Sequence, residues 1–362
     1  MTESHFRPIG TRIGILGGGQ LARMLSLAAS RLGMKTHIFC PDPLSPAFEV
    51  TPHRTVADYE DRDALARFAA EVDIVTYEFE NVPLATAAFL AGLRPLMPNA
   101  RALAVAQDRL AEKRFLADAG IAIAPFAPVG SLGDFEAALG EIGIPCVLKT
   151  TRLGYDGKGQ RMIRSGADAM PAYADLGGTD LVLERLVPFE REISVVVARA
   201  GTGETRAFDP AENVHRDHML FTSTVPAGIS ETVAEKARII AADIAEVLDF
   251  VGVLGVEFFV ATDTTSPALL VNEIAPRVHN SGHWTEAVCL TDQFEQHIRA
   301  ICGWPLGDPA RMADVRMVNL VGDEIEAVAD MLEPGDAPHV YGKSQPRPGR
   351  KMGHLNRVTL RR

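Results

Sequence analysis

The first hundred residues alternate short apolar runs with longer segments in which apolar residues recur every three or four positions. The runs have the length of buried strands and lie at 12–16, 36–40 and 72–77. The longer segments have helical periodicity and lie at 21–32, 61–70 and 84–93. Gly33 follows the first of these, where a glycine commonly ends a helix. Strands that alternate with helices predict an α/β domain with a parallel, doubly wound sheet.

Beyond about Gly130 the predicted strands come in pairs that are separated by turn residues rather than by helices. The pairs lie at 145–150 with 161–164, at 181–186 with 192–198, and at 252–261 with 268–274. The last pair flanks the turn-rich connector Thr262–Pro267, which predicts an antiparallel hairpin. We therefore expect an α+β region after the α/β domain.

The charge balance excludes some classes of partner. The chain has 362 residues, 36 basic and 47 acidic, and a formal net charge of −11. This acidity argues against a protein that coats nucleic acid or that binds membranes through a basic surface. The segment 341–362 has seven basic residues and no acidic one, so an acidic body carries a basic tail. A composition of 47% hydrophobic and 23% charged residues is typical of a globular protein with ample core.

Neither an export signal nor a membrane span is apparent. The first ten residues lack the basic-then-apolar order of a signal peptide. The cysteines are scattered without close pairing, which fits neither a zinc site nor a disulfide framework: Cys40, Cys146, Cys289 and Cys302. We expect reduced core thiols in a cytoplasmic protein.

A glycine turn follows the first predicted strand. Gly17-x-Gly19-x-x-Ala22 opens a helix, and Asp42 comes just after the next strand, at about the 20-residue spacing of a dinucleotide site. Such glycines let phosphate approach backbone N–H groups at a helix N-terminus. Taken alone, the motif fits a structural turn, a phosphate site and a dinucleotide site equally well. An NAD-dependent oxidoreductase is thus one hypothesis.

A second glycine-rich run, Leu148–Gln160, has three glycines with Lys149 before them and Lys158 among them. Backbone donors and ammonium groups in such a run can cradle phosphates. It is not a Walker A loop, because Lys158 precedes Gly159 and a strand follows. We expect a strand–loop–strand flap that closes over a nucleotide. A plain surface hairpin is the alternative.

Two glutamates lie in otherwise apolar sequence on the two arms of the predicted hairpin. They are Glu257 and Glu273, and Asn272 precedes the second. An unpaired buried carboxylate is very costly, whereas a hard divalent cation removes that cost. Carboxylate and amide oxygens suit Mg²⁺, so the pair is a candidate magnesium site. The alternative is that one or both glutamates point to solvent.

The loop 276–284 comes directly after the proposed metal strand. Arg277 would stabilise charge that develops on a transferred phosphoryl or carboxyl group, and His279 and Asn280 could orient a substrate. A loop capped by a hydrogen-bonded histidine is the alternative.

A helix is predicted to start at the capping residue Asp108, which places Arg109 and Lys113 on one face. Like charges at this spacing repel unless an anion lies between them or carboxylates neutralise them. A solvated face, helped by Glu112, is the more common arrangement.

Together these motifs resemble those of the N5-carboxyaminoimidazole ribonucleotide synthetases, ATP-grasp ligases of purine biosynthesis. The resemblance runs from Ile13 to Asn356 and rests on Gly17–Leu21, Thr76–Asn81, Gly154–Gln160, Asn272–Trp284 and Arg347–Lys351. The long stretch that ends at Trp284 is the most specific, because relatives in other ATP-grasp families do not carry it together with the terminal basic motif.

The resemblance implies an ATP-grasp fold in three parts. These are an N-terminal doubly wound pre-ATP-grasp domain at 1–105, an ATP-grasp domain at 106–305 with a lid at about 130–186, and a small C-terminal domain at 306–362. Family members usually continue for a few tens of residues beyond Asn356, so we expect this last domain to be shortened.

The resemblance also assigns residues to ATP. Arg109 and Lys149 would contact its phosphates and base, Glu192 would hold the ribose hydroxyls, and His215 matches another nucleotide-contacting position. The phosphates would lie under the flap, formed by Gly154, Tyr155, Asp156, Gly157, Lys158, Gly159 and Gln160. The adenine slot would be lined by Glu184, Arg185, Leu186 and Val187. Asn272 and Glu273 complete the nucleotide site.

Metal and substrate positions follow in the same way. Glu257 and Glu273 match ligands of Mg²⁺, which Mn²⁺ can replace. The positions around 5-aminoimidazole ribonucleotide and bicarbonate are matched by Gln20, Tyr155, Lys158, Arg277, His279 and Asn280. Of these, Arg277, His279, Asn280 and Lys158 are the expected catalytic residues. Lys343 and Arg350 match positions that hold the ribonucleotide's 5′-phosphate.

The implied reaction carboxylates 5-aminoimidazole ribonucleotide with ATP and bicarbonate, through carboxyphosphate, in a homodimeric cytoplasmic enzyme. Sibling ATP-grasp ligases, such as a formate-dependent ribonucleotide transformylase or a biotin carboxylase-like enzyme, differ in acceptor and are the nearest alternatives. An NAD-dependent oxidoreductase leaves the flap, the glutamate pair and the basic tail without roles. A nucleic-acid-binding tail is disfavoured, because its cations alternate with proline and glycine and it lacks stacking aromatics beyond Tyr341.

Overall fold

The structure is a computed structural model that describes residues 6–152, 154, 157–262 and 269–360. The strands in these ranges are β1 (Arg12–Leu16), β2 (Lys35–Phe39), β3 (His53–Thr55), β4 (Ile74–Tyr77), β5 (Phe126–Val129), β6 (Cys146–Thr150), β7 (Gln160–Ile163), β8 (Leu181–Arg185), β9 (Phe189–Arg199), β10 (Thr205–Ala207), β11 (Ala211–Arg216), β12 (Met219–Val225), β13 (Gly252–Ala261), β14 (Leu269–Ala275), β15 (Asp314–Val321), β16 (Asp336–Val340) and β17 (Lys351–Thr359).

The α-helices in the same ranges are α1 (Gln20–Arg31), α2 (Arg62–Ala70), α3 (Leu84–Ala91), α4 (Ala100–Ala106), α5 (Arg109–Asp118), α6 (Leu132–Ile142), α7 (Gly166–Asp175), α8 (Glu231–Val247), α9 (Thr285–Val288), α10 (Gln293–Ile301) and α11 (Val328–Met331). Short 3-10 helices lie at Pro46–Glu49, Asn280–Gly282 and Gly322–Ala327. Among the described residues, none of the helices has the length and apolar character needed to cross a membrane.

The N-terminal region forms the predicted parallel sheet, in the strand order β3-β2-β1-β4. Helix α1 starts immediately after the glycine turn and buries one apolar face, including Leu21 and Leu25, against this sheet. The sequence pattern did not predict β3, because its three residues are too few to show a period and none is fully buried.

Residues after α5 form a small antiparallel sheet, β5-β8-β6-β7, covered by α6 and α7. Its core has its own buried side chains, such as Phe135, Leu148 and Leu183. The pairing of Lys149 with Gln160 makes the two strands that flank the glycine-rich run, β6 and β7, antiparallel neighbours. The two strands predicted on either side of the run are confirmed, whereas Leu153, Tyr155 and Asp156 between them lie outside the described residues.

The largest sheet has nine strands among the described residues, in the order β14-β13-β9-β11-β12-β15-β17-β16, with β10 paired to β9. The β13–β14 hairpin is antiparallel as predicted and places Glu257 directly opposite Glu273. Helix α8 packs on β9 and β13 through its buried alanines and Ile244. The C-terminal strands extend this same sheet, because β12 pairs with β15.

The basic tail returns to the N-terminal region. Tyr341 is 1% exposed and belongs to the apolar cluster that contains Leu25 of α1. At Gly342, where φ is +74°, an added Cβ would lie 2.7 Å from Glu49 Oε2, so the tail runs against the segment that follows β2. This contact brings the tail's cations to the end of the parallel sheet where the glycine turn lies.

Candidate active site

A buried carboxylate, Glu184, forms ion pairs with three cations, two of which are predicted nucleotide-binding residues. Glu184 of β8 accepts a hydrogen bond from Lys149 Nζ at 2.9 Å. Lys113 Nζ lies 3.5 Å from the same carboxylate, and Arg109 lies 3.9 Å from it. Burial opposes ionisation of Glu184, but the three cations lower its pKa to about 2. The predicted nucleotide residues Arg109, Lys149 and Glu184 therefore meet in one place.

The interpretation of α5 as a solvated face is wrong. Lys113 is fully buried and donates to the Asn272 carbonyl oxygen at 2.9 Å. Glu112 is also buried and accepts from the Ile274 backbone N–H at 2.6 Å. Burial raises the pKa of Glu112 to about 7 despite the nearby cations. The charges of α5 thus attach this helix to β14, beside the candidate metal residues.

The two predicted metal ligands are cross-strand neighbours on the β13–β14 hairpin. The Glu257 side chain is 19% exposed, and burial followed by the charge of Glu273 raises its pKa to about 8. Glu273 also receives Arg109 Nη2 at 3.3 Å. Facing carboxylates in a partly buried site fit a divalent cation, because its charge offsets both their desolvation and their mutual repulsion.

Two histidines flank this pair. His215 forms an ion pair with Glu192, and although burial opposes its charge, hydrogen bonding to Glu192 raises the pKa of His215. His279 Nε2 lies 3.4 Å from Glu257 Oε1, and its Nδ1 lies 2.7 Å from Ser281 Oγ. Burial, and then the charge of Arg277, holds the pKa of His279 well below its usual value. A neutral imidazole therefore faces the candidate metal site.

A second, partly buried ion pair joins this region to the N-terminal domain. Arg277 binds Glu80 in a bidentate manner, with Nη2 2.9 Å from Oε1. Burial disfavours the charge of Glu80, but Arg277 keeps its pKa below the usual value. Both residues line a cavity that also includes Arg109, Glu273 and Gly154. Arg277 thus lies between the nucleotide residues and the parallel sheet.

The glycine turn is filled by a side chain of the protein. Glu78 Oε1 accepts the Gly19 N–H at 2.9 Å, and a Cβ on Gly17 would lie 2.6 Å from the same oxygen. Asp42 caps its own turn by accepting the Leu44 N–H at 2.9 Å. A dinucleotide phosphate at the start of α1 would meet the Glu78 carboxylate. The turn therefore does not support the NAD hypothesis.

The loop after β14 is fixed by amide side chains. Asn280 exchanges two hydrogen bonds with Asn319 of β15, at 3.0 and 2.8 Å. Gln293 of α10 accepts the His279 N–H at 2.8 Å and donates to the His279 carbonyl oxygen at 2.8 Å. The capped-loop alternative is thus partly right, because this network holds His279 and Asn280 while His279 Nε2 still points to Glu257.

The basic tail provides two of its predicted residues to this side of the molecule. Lys343 Nζ donates to the Lys351 carbonyl oxygen at 2.6 Å, and Arg350 Nη1 donates to the Gln345 carbonyl oxygen at 2.9 Å. Burial, followed by the charges of Arg350 and Lys351, lowers the pKa of Lys343 to about 8, and Glu78 opposes this shift. Arg350, Lys343 and Glu78 are therefore close enough to interact electrostatically.

The remaining predicted residues are only partly placed. Tyr155 and Asp156 lie outside the described residues. Lys158 is exposed in the turn 157–159, Gly154 lines the cavity, and Gln20 is the first residue of α1. In the segment predicted to line the adenine slot, Val187 is buried beside Leu270. The Leu186 N–H donates to the Pro145 carbonyl oxygen at 3.2 Å. The Arg185 guanidinium donates to the Ile142 carbonyl oxygen.

Comparison with known families agrees with this architecture. Three family models match consecutive parts of the chain: a ribonucleotide synthetase preATP-grasp domain over 10–107, an ATP-grasp domain over 114–294, and a phosphoribosylaminoimidazole carboxylase C-terminal domain over 316–361. The N5-carboxyaminoimidazole ribonucleotide synthase of Brucella melitensis is 50% identical, over 100% of this chain and 99% of that protein. The chain belongs to the N5-carboxyaminoimidazole ribonucleotide synthase family. The predicted ATP-grasp fold is confirmed.

Other members of the N5-carboxyaminoimidazole ribonucleotide synthase family show the same full-length likeness. The Pseudomonas aeruginosa protein is 44% identical over 97% of this chain and 94% of its own length. The synthetase structure from Thermus thermophilus superposes with a TM-score of 0.88, at 45% identity over 97% of this chain and 93% of that one. An Aspergillus clavatus synthase, solved with ADP and 5-aminoimidazole ribonucleotide, has a TM-score of 0.90 at 28% identity, over 97% and 94% of the two chains.

Sequence reasoning about this synthase-family chain missed several residues of the site. Glu78 and Glu80 were noted only within a family motif, and Lys113 was assigned to solvent. Gln293 carried no signal, because a glutamine on an amphipathic helix looks like any exposed polar residue. An excess of acidic residues after a buried strand, as in Glu78-Phe79-Glu80, was the one local hint.

The raised pKa of Glu257 predicts a pH-dependent effect of the change Glu257→Gln. In metal-free protein the folded state keeps the Glu257 proton up to about pH 8, whereas the unfolded chain loses it near the ordinary glutamate pKa of about 4.3. Wild-type stability therefore falls as pH rises through this window. Glu257→Gln, which has no such proton to lose, should become progressively more stable relative to wild type over the same window.

Urea unfolding in the presence of a chelator, repeated across this pH range, measures the difference. The matched change Glu246→Gln, at an exposed position on α8, should give a difference that does not vary with pH. A stability difference for Glu257→Gln that is equally flat would show that Glu257 is not held protonated in the fold.

The two hydrogen bonds between the Gln293 side chain and the His279 backbone predict that Gln293→Leu will loosen the loop 276–284. This change leaves the buried His279 N–H without a partner, which should cost about 1–3 kcal/mol, while the His279 carbonyl oxygen keeps its hydrogen bond from the Gly282 N–H. Gln296→Leu is the matched control, because Gln296 lies on the same helix, is also fully buried, and clamps the backbone of Gly307 instead.

Both glutamine variants should lower the free energy of unfolding. Only Gln293→Leu should accelerate amide hydrogen exchange in residues 276–284, as measured by mass spectrometry. Equal acceleration of that segment in the two variants would mean that Gln293 has no special hold on the loop.

Proposed function

We propose that this chain carboxylates 5-aminoimidazole ribonucleotide with bicarbonate and ATP, giving N5-carboxyaminoimidazole ribonucleotide, ADP and phosphate in purine biosynthesis. One observation supports this most strongly: Glu78 lies within electrostatic reach of both Arg277 and Lys343. The basic tail and the loop after β14 thus converge beside the nucleotide residues. A biotin carboxylase-like ligase, whose acceptor carries no phosphate, would need the same nucleotide residues but not these tail cations.

ATP binds between the small antiparallel sheet and the β13–β14 hairpin. Lys149 and Arg109 contact its phosphates. Without a nucleotide, their charges are balanced by Glu184 and Glu273. Glu192 and His215 hold the ribose, and the loop 154–160 covers the phosphates. Because α5 is fixed to β14 through Glu112 and Lys113, Arg109 has a firm base from which to reach the nucleotide.

Glu257 and Glu273, with the side-chain oxygen of Asn272, are the residues that would hold Mg²⁺ or Mn²⁺. Their facing carboxylates and the raised pKa of Glu257 fit a divalent cation. When bound, the ion neutralises phosphate charge and polarises the transferred phosphoryl group.

The chemistry needs no covalent bond to the protein. An oxygen of bicarbonate attacks the γ-phosphorus of ATP, and the bond to the β-phosphate oxygen breaks to give carboxyphosphate and ADP. Arg277, held in place by Glu80, stabilises the negative charge on the reacting groups. The amine of the ribonucleotide then attacks the carboxyl carbon and loses a proton, and inorganic phosphate leaves.

Water must be kept from this intermediate. Carboxyphosphate is a mixed anhydride that water destroys, so the glycine-rich loop serves to close the cleft during the reaction. Neutral His279, fixed by Gln293 and Ser281, orients the reactants without adding a second positive charge beside Arg277. Lys343 and Arg350 hold the 5′-phosphate. A homodimer in the cytoplasm remains a prediction from the resemblance.

The reaction predicts that ADP release requires both acceptor substrates. With ATP and Mg²⁺ present, ADP formation in a coupled assay should stay at background with either bicarbonate or 5-aminoimidazole ribonucleotide alone, and rise strongly with both. Chelating the Mg²⁺ should abolish it. ADP release that does not depend on the ribonucleotide would refute the acceptor, and replacement of bicarbonate by formate would indicate the sibling ligase.

The phosphate role of the tail predicts a selective defect in Arg350→Ala. Loss of a charge-assisted hydrogen bond of about 1.5–3 kcal/mol should raise the KM for the ribonucleotide roughly 10- to 150-fold while that for ATP changes little. Arg347→Ala removes an exposed cation from the same segment and should leave both values close to wild type. Equal increases in both KM values for Arg350→Ala would show that Arg350 does not bind the ribonucleotide's 5′-phosphate.

A further inference from the structure

A group of three potential metal ligands lies outside the proposed active site. Glu286 is on α9, His339 is on β16 and His354 is on β17, so each comes from a different element. Within the described ranges their ligand atoms all lie within 4.8 Å of one another. Glu286 Oε2 is 3.6 Å from His339 Nδ1 and 3.9 Å from His354 Nε2.

The strand register brings the two histidines together. His339 and His354 are directly opposite each other in the antiparallel pair β16–β17, and their rings stack with centroids 4.5 Å apart. His354 is fully buried, and its Nδ1 lies 2.9 Å from the Tyr341 hydroxyl oxygen. That contact fixes the ring so that its other nitrogen, Nε2, faces Glu286.

Two of the facing atoms in this group have no hydrogen-bond partner within the part of the chain that the structure describes. His354 Nε2 and Glu286 Oε2 are both buried and unpaired, although each has a potential partner nearby. The separations of 3.6 and 3.9 Å are too long for hydrogen bonds. Buried polar atoms are normally paired, so two such atoms aimed at the same small space call for a ligand.

We propose that Glu286, His339 and His354 bind one transition-metal cation of the Zn²⁺ type. Ligand atoms about 2.0–2.2 Å from a tetrahedral ion lie roughly 3.3–3.6 Å apart, which is close to the two separations from Glu286. Because the two imidazole rings are stacked, the His339 ring must rotate out of parallel to direct its lone pair at the same ion as His354. His339, whose side chain is 29% exposed, has room to turn toward the ion. Two imidazoles and one carboxylate suit Zn²⁺ better than Mg²⁺, and water can fill the fourth position.

Such an ion would act as a clamp. It would join α9, in the body of the molecule, to the two strands whose connecting segment carries Lys343 and Arg350. Tyr341 would serve as the outer partner of a ligating histidine, an arrangement that commonly fixes ring orientation at metal sites. The inference rests on this geometry alone and does not depend on the proposed function.

The test is a Zn²⁺ titration of the untagged full-length chain, stripped with a chelator and then given excess Mg²⁺ to occupy the hairpin glutamates. Isothermal titration calorimetry should show one Zn²⁺ per chain. Co²⁺ in place of Zn²⁺ should give the visible absorption of a four-coordinate site. His339→Ala and Glu286→Gln should each weaken Zn²⁺ binding more than the roughly 10- to 100-fold that loss of an outer partner costs.

Two further variants control for other binding modes. His53→Ala removes a histidine remote from the cluster, and Glu257→Gln disables the hairpin site, so both should bind Zn²⁺ as wild type does. Circular dichroism and the melting temperature without metal establish that each variant is folded. Failure of the wild-type chain to bind Zn²⁺, or Zn²⁺ binding that survives His339→Ala or is lost in Glu257→Gln, would overturn the proposal.

Discussion

Glu184 sits in a place where a carboxylate could not remain charged without its neighbours. It is 3% exposed, and Lys149, Lys113 and Arg109 approach it from β6 and α5. Each of those cations would in turn be costly to bury alone, because desolvation penalises every unpaired charge. The cluster therefore forces the small antiparallel sheet, α5 and β14 into one arrangement. The cations that would bind a nucleotide are therefore already held and oriented by the Glu184 carboxylate before the nucleotide binds.

The same principle extends the site toward the N-terminal domain. Glu80 and Arg277 neutralise each other across the boundary between the parallel sheet and the loop after β14. Glu78 occupies the glycine turn, which in other doubly wound domains receives phosphate. The glycine turn thus has the geometry of an anion-binding turn, and the anion bound there is the Glu78 carboxylate of the protein itself. That carboxylate then faces the cationic tail and Arg277.

The sequence predicted those features that depend on local pattern. Three strands of the parallel sheet, β1, β2 and β4, and the β13–β14 hairpin were predicted to within one or two residues, because each combines a clear apolar pattern with flanking turns. The facing of Glu257 and Glu273 followed from the hairpin. The environment of Lys113 did not follow, because whether a helix face is solvated depends on Glu184, which lies 71 positions further along the chain. The glycine turn was ambiguous for the same reason, since its occupant, Glu78, comes from a different strand end.

The pairing of β12 with β15 has a mechanical consequence. Because the strands on either side of the tail are hydrogen-bonded into the same sheet as β13 and β14, the two ends of the cleft share one continuous framework. The small sheet β5-β8-β6-β7 has a core of its own and is joined to this framework through the Glu184 cluster. The segment between β16 and β17, which carries Lys343 and Arg350, is therefore tied by hydrogen-bonded strands to the hairpin that carries Glu257 and Glu273.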